Sequence, residues 1–144
     1  MRKSLLLPVC GLVFNVAVLA ALYVLDTSYV QVLFWMPFIP AFLTFGSALL
    51  LLGGRRLEGV AWDRFWGAIV VLPRWAQAGL GLLFLVTIAS TLFAIASTLT
   101  SPTSPQADAR FERNFALIAV WITAVGTALH YAVERERMAQ TDRR

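Results

Sequence analysis

A chain of 144 residues is one domain's worth of material, and 59% apolar against only 14% charged residues lies outside the mixture that dissolves in water. The net charge of +4 does not mark a nucleic-acid binder, because the basic residues, eleven of them Arg, sit in short clusters at the ends of apolar runs rather than along one face. Cys10 is the single cysteine, which excludes an internal disulfide, a CxxC redox pair and with it quinone-linked thiol oxidation; it reads as a small packing residue.

Residues 5–25 carry no charge and match a hydrocarbon core of about 30 Å at a rise of about 1.5 Å per residue, so they are expected to be a first transmembrane helix. Arg2 and Lys3 ahead of this run also resemble a secretory signal, with Val18 and Ala20 as a cleavage site, but the run is long for a signal and continues past that site. Asp26, Thr27 and Ser28 are capping types that predict a tight turn into a second charge-free run, residues 29–52. Pro37 and Pro40 fall inside that run and predict a kink, read as an ordinary proline-bent span rather than a broken helix lining a substrate site.

After Gly53, Gly54, Arg55 and Arg56, the residues Trp62, Phe65, Trp66, Ile69, Val70 and Leu72 share one arc at helical spacing, with Asp63, Arg64 and Gly67 opposite. This predicts a short interfacial helix over residues 62–72, ended by Pro73, in which Trp62, Phe65, Trp66 and Ile69 dock at the membrane interface. The competing reading begins the third span near Phe65 and bends it at Pro73 and Arg74, at the expense of an arginine within the span. Residues 75–99 form the third span, Thr100 to Pro105 a loop whose polar character runs on through Asn114, and residues 115–133 the fourth span. The charged tail, residues 134–144, is expected to extend that helix.

The expected fold is therefore all-α, a polytopic bundle of four antiparallel transmembrane helices in a single domain. Ten of the basic flanking residues fall on one side of this arrangement and two on the other, which places both termini in the cytoplasm of a plasma membrane, the bacterial inner membrane by type. No internal repeat is visible.

No Asp, Glu, Lys or Arg lies inside the four spans, so the titratable group that proton-coupled transport uses near mid-membrane is missing. Asn15 is the strongest polar group there; its amide must find partners and is expected to face another helix. Ser90, Ala94 and Thr98 form one small-residue ridge and Ala124, Ala128 and Ala132 another, expected to mark where the third and fourth spans meet each other or a partner; a hydroxyl-lined pore is the competing reading. His130, the one histidine, stands on the same face as Glu134, a pair open to a partner or ligand but too few for a metal or haem, and it is expected to bond Glu134 or a lipid headgroup.

GxGxxG, Walker, HExxH and GxSxG motifs are missing, so no cofactor is expected and an enzyme is disfavoured. The expected function is that of a non-catalytic accessory or scaffolding subunit, its partners being the lipid bilayer and other membrane subunits or itself, with no nucleic acid. A small oligomeric transporter or channel is the alternative, and a lipid-modifying enzyme the third.

Overall fold

The computed structural model describes residues 3–24, 35–53, 62–100 and 105–141. These residues are helical throughout except at two short turns, and the helices are α1 (Lys3–Val24), α2 (Phe38–Gly53), α3 (Trp62–Val70), α4 (Arg74–Thr100) and α5 (Pro105–Thr141). The expected turn at Asp26 to Ser28 and the first part of the expected second span lie outside the described residues. Among the described residues three stretches, Leu5–Val24, Arg74–Thr100 and Arg110–Thr141, are long and apolar enough to cross a membrane, which is compatible with a membrane location.

Two boundaries bear on the sequence expectation. Pro37 and Pro40 stand at the start of α2: the Phe38 amide donates to the Trp35 carbonyl at 3.2 Å and Ala41 to Pro37 at 3.3 Å, and α2 runs on from there, while the other arm of the expected kink, residues 29–34, lies outside the described residues. Proline is tolerated in a first helical turn because the amide hydrogen it lacks would have no intrahelical acceptor. The 16 residues of α2 span only about 24 Å, short of a hydrocarbon core of about 30 Å. Second, the polar stretch through Asn114, expected to precede the fourth span, is already helix from Pro105, where proline at the first position favours helix initiation.

Helix α5 is the hub: α1, α2, α3 and α4 all pack on it, and among the described residues only α1 and α2 otherwise pack substantially on each other. Side-chain partners give the directions. Asn15 meets Thr123 and Arg113 meets the Leu22 carbonyl, so α1 and α5 are antiparallel. Thr91 meets Asn114 and Phe84 meets Trp121, so α4 and α5 are antiparallel as well. Phe38 stacks near Phe115 while Ser47 meets His130, so α2 and α5 run parallel.

The larger apolar core gathers Ala48, Ala68, Leu72, Val125, Leu129 and Ala132, and a smaller one holds Val18, Leu22 and Ala116. The apolar arc of α3 divides. Ala68 and Leu72 are buried with Phe65 and Ile69 packed beside them, whereas Trp66 (56%) and Val70 (71%) point outward. Much of α4 is likewise turned outward, through Leu82, Leu85, Leu92, Phe93 and Leu99.

Candidate functional site

The polar side chains within the apolar helices converge on α5 from three sides. From α1, the fully buried Asn15 donates through Nδ2 to Thr123 Oγ1 (2.7 Å) and to the Pro37 carbonyl (2.9 Å), with the Ala119 carbonyl at 3.5 Å. Thr123 in turn donates to Ala119, leaving its oxygen to accept from Asn15. Reversing the amide would set its oxygen against two carbonyls, so this orientation is the one the surroundings require. Asn15 Oδ1 is then buried with no partner among the described residues. On the same helix pair, Thr127 Oγ1 reaches the Pro8 carbonyl at 3.3 Å.

From α2, Ser47 Oγ lies 2.9 Å from His130 Nε2. Ser47 also donates to the Thr44 carbonyl at 3.0 Å. A hydroxyl has one proton; with that proton on Thr44, the serine oxygen accepts from the imidazole N–H. The contact is possible because the two helices nearly touch at Gly126. A Cβ there would lie 2.9 Å from the Phe45 nitrogen and 3.0 Å from the Thr44 carbonyl carbon, closer than real Cβ atoms approach. One turn beyond His130, Glu134 is almost buried, with Arg137 Nη1 at 3.6 Å.

From α4, Thr91 Oγ1 accepts from Asn114 Nδ2 of α5 at 3.1 Å and also donates to the Thr87 carbonyl. Other hydroxyls turn back onto their own helix: Thr87 to Leu83, Ser97 and Thr98 to Ala94, and Thr100 to Ala96. Such bonds satisfy a hydroxyl locally and leave it little reason to line an aqueous path.

The elbow between α3 and α4 is held by side chains sequence reasoning passed over. Gln77 Nε2 donates to the carbonyls of Val70 (3.1 Å) and Leu72 (2.8 Å), and Arg135 Nη1 donates to Val71 (2.9 Å), so the acceptors left at the end of α3 are met from α4 and α5. Beside the elbow opens a cleft of about 910 Å³, walled by α2 and α4, floored by Trp121 and Val125 of α5, and closed at one end by Phe65 and Trp66 of α3.

The sequence-selected residues are distributed as follows. Asn15 and Ala132 are buried in helix contacts, and Ala94 is buried on α4. Ser90, Ala124 and Ala128 are partly buried, and Thr98 is exposed. The two small-residue ridges do not face each other: the antiparallel register set by Phe84–Trp121 and Thr91–Asn114 lays Ser90, Ala94 and Thr98 along the start of α5, while Ala124, Ala128 and Ala132 lie toward the elbow and the start of α4. Phe65 and Ile69 pack inward, Trp66 points outward, and Trp62 opens α3. His130 bonds Ser47 across the helix interface, a partner sequence reasoning did not consider for it. The available signal was the matching spacing of Thr44 with Ser47 and of Gly126 with His130, each pair on one helix face.

Among the described residues no group of three or more His, Cys, Asp or Glu could hold a metal ion. Comparison with protein-family models, with curated proteins and with solved structures gives no match.

Proposed function

We propose that this chain is a non-catalytic membrane protein of four spans, with both termini cytoplasmic in a bacterial inner membrane, that serves as an accessory or scaffolding subunit packing against partner transmembrane helices. The second span would be α2 together with the apolar residues that precede it in the chain. The observation that carries this reading is the use to which the in-span polar groups are put. Asn15, Ser47 and Thr91 each tie a different helix to α5, and most of the other hydroxyls are held by their own helix. Such groups fix helix positions, which is what a scaffold needs, and they supply neither a charged relay nor a polar passage.

The outward side chains fit the same setting. Leu82, Leu85, Leu92 and Phe93 of α4 would be a liability in water and are neutral against acyl chains. Trp66 and Trp75, both outward at the elbow, suit the interfacial level where tryptophan collects.

The test is purification in mild detergent followed by mass determination of the intact particle. A stoichiometric complex with another membrane protein, which reassembles when the separately purified components are mixed, supports the subunit reading. A homo-oligomer that moves solute across liposomes would replace it with the transporter reading.

A further inference from the structure

We propose that the cleft between α2 and α4 seats one acyl chain of an anionic membrane phospholipid, with the lipid phosphate held at Arg74. Its volume of about 910 Å³ lies within the range of small-ligand sites, roughly 300–1,000 Å³. The wall is aliphatic and aromatic except for Gln77, whose Nε2 is already engaged with the Val70 and Leu72 carbonyls, so the interior selects an apolar occupant. From Gln77 to Phe84 the wall follows α4 for seven residues, about 10 Å, so the cleft runs lengthwise from the elbow toward the helix middle, as a lipid chain does.

Charge selects the headgroup. Arg74 opens α4 three residues, about one helical turn, before Gln77, the α4 residue of the cleft wall nearest the elbow, and i,i+3 neighbours share a helix face. It is exposed and forms no ion pair among the described residues. A cation at that level, beside an apolar slot, matches a phosphate ester whose chain enters the slot. Gly81 lines the cleft where a Cβ would meet no described atom within 4 Å, so no described residue fills the space beside it.

The inference rests on the reading that α4 and α5 lie in a bilayer, and the experiment separates the two. The full chain is reconstituted into vesicles and floated, then extracted, stripped of lipid, and titrated with phosphatidylglycerol or phosphatidylcholine of identical chains under native mass spectrometry. Expected are flotation, one tightly held phosphatidylglycerol per chain, and a preference over phosphatidylcholine of about fivefold from the single arginine. Arg74→Gln should remove the preference while leaving a bound lipid, and Gly81→Phe, which fills the slot, should remove the tight lipid.

Failure to float overturns the membrane reading and this one together. Flotation with equal retention of the two lipids, or tight binding unchanged in Gly81→Phe, overturns the cleft proposal alone. So does a partner helix or a lipid without phosphate found in the slot. Should Gly81→Phe fail to fold, phosphatidylglycerol brominated along its chain provides the second measurement. It should quench the emission assigned to Trp121 by difference from Trp121→Phe, and unquenched Trp121 emission would overturn the proposal.

Discussion

Gly126 and Phe45 bring the backbones of α5 and α2 into contact: a Cβ on Gly126 would stand 2.9 Å from the Phe45 nitrogen and 3.0 Å from its Cα. Because the obstacle is main chain, no rotamer change can relieve it. Gly126→Ala should therefore separate the helices and destabilise the fold by about 1–3 kcal/mol. Gly79→Ala, at a position where a Cβ meets nothing within 4 Å, serves as the control and should be neutral or slightly stabilising. Thermal unfolding in detergent checks both; equal midpoints for the two variants would contradict the close approach.

Asn15 and Thr123 share a buried bond of 2.7 Å, so their substitutions should not be additive. A cycle built from Asn15→Leu, Thr123→Val and the double variant should return a coupling of about 0.6 kcal/mol, rising to about 1.7 kcal/mol if the bond is unusually strong. Reversible unfolding in mixed micelles gives the four free energies. Strict additivity would mean the two side chains do not meet.

Ser47 and His130 stand at the spacing of a nucleophile and its base, but the hydroxyl proton is directed to Thr44. A fluorophosphonate should accordingly leave Ser47 unlabelled, and Ser47→Ala should lower stability by about 1 kcal/mol through loss of the tether. Labelling of Ser47 that disappears in His130→Gln would instead establish an activated serine and revive the enzyme reading.

Gln77 meets two of the acceptors at the end of α3, so its loss should act locally. Gln77→Leu removes both bonds, at 3.1 and 2.8 Å, while keeping the apolar stem. Amide exchange should quicken across residues 70–76 by roughly fivefold, the equivalent of about 1 kcal/mol, with α1 unaffected. Uniform quickening along the chain would show that the elbow is not an independent unit.

The all-helical character was legible from charge-free runs of helical length, and α3 from its one-sided spacing. Other features depended on information no local pattern contains. The demand that Asn15 find partners is written in its apolar surroundings, but the choice of Thr123 and Pro37 follows from how three elements cross. Pro37 and Pro40 look alike in sequence whether they bend a helix or begin one, and among the described residues α2 runs from Phe38. The ridges of α4 and α5 share a spacing yet occupy opposite ends of their contact, because an antiparallel register is set by bulky pairs such as Phe84 with Trp121. His130 and Ser47 are 83 residues apart, and only the parallel packing of α2 on α5 brings them together.

The hub is also the latest of the described helices to be synthesised. While α1 and α2 can pair early, α4 emerges before its main neighbour exists, with Trp121 and Asn114 still to be translated. Assembly of the whole thus closes in one late, cooperative step. A chain stopped after Thr100 would hold α1 and α2 able to meet and a long α4 joined to α3 at the elbow but lacking its main neighbour among the described helices, a species that quality-control proteases should clear readily.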